Sequence, residues 1–155
     1  MILVITGTHE QQFDRLMRAV ESLPSGEEIV VQTGHCTVTP ANARAHGFLP
    51  FEEVMRLMRE ARVVVTHAGT GTVMSALEAG KTPVVAARLK KYGEHVDDHQ
   101  LDLVQSLADI GLIVPFNDGD NLAAKISEAA GRTGQRAIQP ADELVAFLHA
   151  AVHGG

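Results

Sequence analysis

Residues 62–80 read RVVVTHAGTGTVMSALEAG, and the fold follows from this stretch. Arg62 to Thr66 is a β-branched run of the kind that lies at the centre of a parallel sheet, covered on both faces. His67-Ala68-Gly69-Thr70-Gly71-Thr72 then turns into a helix carrying Val73, Ala76 and Leu77. Gly80 closes that helix as a left-handed C-cap. A buried strand passing through a glycine-rich turn into a helix is the repeating unit of an α/β fold.

The same alternation extends in both directions. Upstream, Met1 to Thr6 reads as a first strand, and Phe13, Leu16, Met17, Val20 and Leu23 recur at helical spacing until Pro24-Ser25-Gly26. Ile29 to Gln32 is a second strand, stopped by Thr33-Gly34. A short strand is expected near Ala45 to Leu49, then an amphipathic helix with Phe51, Val54, Met55, Leu57 and Met58. Downstream, strand Val84 to Ala87 leads to a basic loop over 88–95, a helix from Val96 to Leu107, and a strand from Leu112 to Val114. Helices near 120–130 and 141–152 complete one α/β domain over 1–155, a Rossmann-like parallel sheet with helices on both faces. Gly131 to Pro140 is a polar connection before the last helix.

Composition narrows the chemistry. With 45% hydrophobic and 21% charged residues in 155, the chain has the makeup of an ordinary globular domain. Thirteen Lys and Arg against 19 Asp and Glu give a net charge of -6, which offers no general attraction for nucleic acid or anionic lipid. Any phosphate site is therefore local. Cys36, the sole cysteine, excludes an intramolecular disulfide and fits a reducing, cytoplasmic setting. Met1 to Ile5 is apolar but has no basic flank and falls far short of a membrane span.

The glycine-rich turn suits a phosphate, because glycine permits close backbone approach and the helix N-terminus presents unpaired amides. A tight turn with no ligand fits the pattern equally well. Two nucleotide motifs are excluded. In a dinucleotide fingerprint starting at Gly69-Thr70-Gly71, the third glycine would fall at Met74. In a Walker loop ending at Gly80-Lys81-Thr82, the first would fall at Ser75, inside a helix.

A second concentration is Tyr92-Gly93-Glu94-His95-Val96-Asp97-Asp98-His99-Gln100. His95, His99 and Asp98 have a spacing a metal could use, while carboxylates at a helix start are also ordinary caps. A row of donors and acceptors at the C-terminal edge of a parallel sheet also suits sugar hydroxyls, the reading favoured here. Arg88, Lys90 and Lys91 stand ready for an anionic ligand group or form a solvated basic loop. His9, in Thr6-Gly7-Thr8-His9-Glu10 at the end of strand one, is placed to act as a base or as a positioning residue. His35, His46, His149 and His153 receive no role.

Together, Val4 to Leu16 (VITGTHEQQFDRL), the HAGTGT turn, GKTPVV at 80–85 and RLKKYGEHVDDHQ at 88–100 resemble the C-terminal, donor-binding domain of glycosyltransferase family 28. Within it the likeness is to small bacterial polysaccharide-synthesis subunits that work with a membrane-associated partner, and more distantly to the catalytic subunit of the eukaryotic two-subunit N-acetylglucosaminyltransferase. The resemblance implies one half of a GT-B enzyme. UDP would lie across the sheet edge, with uracil near Phe51, phosphates at Gly69, Thr70, Gly71 and Thr72, and the sugar facing Asp98, His99 and Gln100. Members with a clear ribose site have Glu where this chain has Ser75.

The implied reaction is inverting transfer from a UDP-sugar to a lipid-linked saccharide at the inner membrane face, in exopolysaccharide or capsule synthesis. It needs no obligatory metal or other cofactor, because helix amides stabilise the departing diphosphate. The partner would supply the acceptor site. Glucuronate, galactose, glucose and N-acetylglucosamine donors all fit. A non-enzymatic alternative is an accessory subunit that stabilises or enhances the partner; a free-standing nucleotide-binding regulator is a third. Isolated, the chain is expected to self-associate through its docking surface.

Overall fold

The computed structural model describes residues 1–132. The helix expected over 141–152, with His149 and His153, lies outside the described residues. The elements in chain order are β1 (Ile2–Ile5), α1 (Asp14–Glu21), β2 (Ile29–Gln32), β3 (Arg44–His46), α2 (Phe51–Glu60), β4 (Val63–His67), α3 (Thr70–Glu78), β5 (Val84–Ala86), a 3-10 turn (Lys90–Tyr92), α4 (His99–Asp109), β6 (Val114–Pro115) and α5 (Leu122–Arg132).

The strands form one parallel sheet in the order β3-β2-β1-β4-β5-β6. β1 to β3 run outward on one side and β4 to β6 on the other. The order therefore reverses between β1 and β4, whose residues pair in register from Ile2↔Val63 to Ile5↔Thr66. In such sheets a crevice opens beyond the carboxyl ends of the strands at the reversal.

Strand alternation assigns each face its helices. Ile2, Val4, Val63, Val65, Val84 and Ala86 pack with Phe13, Leu16, Met17 and Val20 at α1 and with Leu122 and Ile126 of α5. Leu3, Ile5, Val30 and Val64 face Leu57 and Met58 of α2 and Ala76 of α3. Val85 meets Val73 and Leu77 of α3 and Leu103, Val104 and Leu107 of α4.

Gly80 has φ +80° and closes α3 as its position predicted. Besides one-residue shifts at other strand ends, three boundaries differ from expectation. β3 lies at 44–46 on the sheet edge, slightly ahead of the expected span. α4 begins at His99, not Val96, because Asp98 Oδ1 accepts the Lys90 N–H (2.9 Å) and Asp97 Oδ1 accepts the His99 N–H (3.0 Å), which holds these residues outside the helix. The last strand pairs only at Val114–Pro115; Leu112 and Ile113 are buried core without joining the ladder.

Candidate functional site

A cleft of about 420 Å3 opens at the β1/β4 reversal. The turn after β1 supplies Gly7 and Thr8, β2 supplies Gln32, α2 supplies Phe51, Val54 and Met55, and the β4–α3 turn supplies His67, Gly69, Gly71, Thr72 and Ser75. The cleft therefore brings together most of the expected nucleotide site. Phe51, first residue of α2, is 72% exposed and presents an aromatic face at the rim. Gly69 caps α3 with no side-chain hydrogen bond, and the Val73 N–H is the one that reaches back to the Gly69 carbonyl (3.0 Å). First-turn amides ahead of that bond have no intrahelical acceptor and point out of the helix end.

The floor of the cleft is close-packed. Gly7 has φ +82°, and a Cβ there would sit 2.4 Å from His67 Nε2; a Cβ on Gly69 would sit 2.3 Å from His67 Cε1. Glycine at both positions is what admits the imidazole. Burial pushes the His67 pKa down to about 3, helped by Arg88, His9 and His95, so the ring is neutral. Sequence reading placed His67 in the turn without a role of its own; its significance comes from burial.

Arg88 overturns an expectation. Either expected role, pairing with an anionic ligand group or belonging to a solvated basic loop, needs an accessible side chain, yet Arg88 is 1% exposed. Its guanidinium donates to the carbonyls of Thr6 (2.6 Å), Gln11 (2.8 Å), Glu94 (3.1 Å) and Gln12 (3.4 Å), and lies over the Phe13 ring. The two terminal nitrogens fasten the β1–α1 loop to the segment after β5, while Nε is buried without a partner. Glu94, also 1% exposed, completes the clamp by accepting from Arg15 and from the Leu89 N–H. Asp14 works similarly beneath the loop. Burial alone would raise its carboxyl pKa, but hydrogen bonds from Thr37 and Val38 outweigh it and hold the group below its ordinary value.

The remaining expected residues, Thr70 among them, are not part of the cleft lining. His9 stacks on His95 with ring centroids 4.6 Å apart, and its Nε2 meets Gln11 Oε1 at 2.8 Å. Gln100 Oε1 accepts the Arg88 N–H (2.9 Å), Asp98 holds Lys90 as described, and the His99 side chain is 84% exposed. Lys91 is exposed, 3.7 Å from Asp118, over the Tyr92 ring. His95 and His99 share Asp97 at 3.3 and 3.9 Å, but among the described residues no three of His, Cys, Asp and Glu converge as metal ligands would. None of the described helices is long and apolar enough to cross a membrane.

The sheet order and its switch-point cleft define a Rossmann-like α/β fold, and solved glycosyltransferase structures share it. The glycosyltransferase of kitacinnamycin matches with TM-score 0.60 at 19% identity, over 98% of this chain and 40% of its own. The glycosyltransferase SnogD from Streptomyces nogalater matches with TM-score 0.52 at 21% identity, over 97% and 43%.

The chain belongs to the glycosyltransferase family 28 C-terminal domain, whose profile matches residues 1–149. The UDP-N-acetylglucosamine transferase subunit ALG13 of Yarrowia lipolytica is 38% identical over 61 residues, which are 39% of this chain and 29% of that protein. The chain thus covers well under half of each of these relatives.

Proposed function

We propose that this chain is the donor-binding subunit of a two-component inverting glycosyltransferase that moves a sugar from a UDP-sugar to a lipid-linked saccharide in exopolysaccharide or capsule synthesis. The observation that carries the reading is the cleft at the β1/β4 reversal, which joins an exposed aromatic ring, the open α3 N-terminus and small residues in one wall. The diphosphate lies against the amides at Gly69 to Thr72, uracil rests on Phe51, and Ser75 takes the ribose. Asp98, just before α4, and His99 and Gln100 on its first turn face the sugar from the rim. Lys91 remains for an anionic group on the acceptor side.

Transfer follows from that placement. An acceptor hydroxyl attacks the anomeric carbon from the face opposite the diphosphate, the glycosidic oxygen leaves with UDP, and the α3 dipole stabilises the charge it takes away. No obligatory metal is needed in this scheme. Gln11 Oε1 can only accept, so His9 Nε2 carries the proton and Nδ1 is the free basic nitrogen, which suits His9 to take the acceptor proton. The acceptor itself, and the membrane association at the inner face, come from a partner subunit.

Calorimetric titration of the chain with UDP and a panel of UDP-sugars tests the reading, with Gly71→Asp alongside. A Cβ at Gly71 would meet nothing within 4 Å, so the variant should keep the fold while placing a carboxylate at the proposed phosphate position. Binding by the wild type and its loss in the variant is the expected result. Absence of binding by the wild-type chain would favour the accessory-subunit reading instead.

A further inference from the structure

The β1–α1 loop fixes the backbone around His9 but not its ring. Arg88 donates to the carbonyls of Thr6 (2.6 Å) and Gln11 (2.8 Å), on either side of it, while Thr8 and Glu10 are exposed. The hydrogen bond from Nε2 to Gln11 (2.8 Å) lies along one axis of the imidazole plane and leaves the ring free to turn about that axis. His95 removes that freedom, because its ring lies across the His9 face with 4.6 Å between centroids and 15° between planes. His95 itself stands on a fixed base. Glu94 before it is 1% exposed, with Arg88 at its carbonyl (3.1 Å) and Arg15 and the Leu89 N–H at its carboxylate. After it, Asp97 Oδ1 lies 3.3 Å from His95 Nδ1 and accepts the His99 N–H (3.0 Å). Contacts therefore run from the start of α4 through Asp97 and His95 to His9.

We propose that His95 is a positioning residue for His9: stacked on its face, it holds the imidazole in the plane where Nε2 donates to Gln11 and Nδ1 stays free. This rests on the proposed function, in which His9 takes the acceptor proton, and adds what keeps that ring in place. His95 touches neither reactant in this scheme and acts only through His9. The effect on transfer is nonetheless large, because a base displaced by about 1 Å can lose about a hundredfold in rate. Binding of the donor does not pass through either ring, so the loss falls on turnover.

Ring-nitrogen NMR spectra of the full chain at about pH 8, where an ordinary histidine is neutral, test the contact without donor or partner. His9→Gln identifies the His9 signals, and His99, whose side chain is 84% exposed, shows how a free ring behaves. His9 is expected as a single Nε2–H tautomer in the wild type and in His95→Phe, which keeps a ring to stack. In His95→Ala its signals should move to those of His99, and unchanged signals there overturn the proposal. Transfer is then measured with membranes carrying the partner and the UDP-sugar bound best in the titration above. His95→Ala should lower kcat about tenfold to a hundredfold while KM for that sugar stays within about twofold, and His95→Phe should recover most of the loss. An undiminished kcat, or an effect on KM alone, also overturns it. If His9→Gln transfers as fast as the wild type, the base assignment fails and this inference with it. If the wild type binds no UDP-sugar, the donor-binding reading itself fails, whatever the spectra show.

Discussion

Gly69 has an ordinary backbone, with φ -78°, so its requirement for glycine is steric: the His67 ring occupies the place a Cβ would take. Gly69→Ala should therefore cost about 1–3 kcal/mol, the range for overpacking a rigid site. The same change in a His67→Ala background should cost at least about 1 kcal/mol less, because the two groups are in contact and their effects do not add. Urea denaturation of the four proteins measures that coupling, and additive costs would refute the steric account. His67 also sets an acid limit on stability. Its ordinary pKa is 6.5 and its folded pKa about 3, so between those values the unfolded chain binds a proton that the folded chain refuses. The stabilising contribution is complete above 6.5 and is lost as the pH falls toward 3, at roughly 1.4 kcal/mol per pH unit. Urea titrations at pH 6.5 and about pH 5 should show the wild type losing about 2 kcal/mol more than His67→Gln.

At the scale of elements, Arg88 ties the segment after β5 to the β1–α1 loop, and Glu94 ties the same segment to Arg15 of α1. Arg88→Met would leave carbonyls of Thr6, Gln11 and Glu94 without their donor, at a cost of about 3–5 kcal/mol, or a fall in Tm of roughly 10 °C. Lys should rescue little, since one ammonium cannot replace a fork that reaches several carbonyls. Faster amide exchange around residues 7–12 would accompany the loss, and a variant with unchanged Tm would refute the clamp. Sequence reading could not have found this device. Arg88 stands beside Lys90 and Lys91 and looks like one of a basic trio, while its partners at Thr6 and Gln11 are far away in the chain. The strands β1, β2 and β4 were legible because a strand covered on both faces must be apolar throughout. β3, an edge strand of Arg44, Ala45 and His46, carries no such mark and was located only loosely. The Gly69–Thr72 turn and Phe51 were legible as parts of one site through motif and resemblance; the start of α4 was not, because Asp98 resembles a first-turn acid and instead caps the Lys90 amide.

For the molecule as a whole, the proposed function makes the cleft a half-site. Gly7, Thr8, Phe51 and Thr72 line it. Phe48, Phe51, Val96 and Leu101 stay exposed, an apolar expense that a bare surface does not recover. Sedimentation of the purified chain should accordingly show self-association, and a strictly monomeric chain would remove that expectation. The separation of binding from transfer is the sharper consequence. With the donor in this cleft and the acceptor on the partner, as proposed, the chain mixed with UDP-sugar and acceptor lipid should bind donor and release no UDP. Adding membranes that carry the acceptor-binding partner should start transfer, and Gly71→Asp should abolish it by weakening donor binding while leaving assembly with the partner intact, since the side chain enters open space. The assay follows labelled sugar into the lipid fraction. Transfer by the chain alone would mean that the acceptor site lies on this subunit after all, whereas full transfer with Gly71→Asp would mean that the donor is held by the partner.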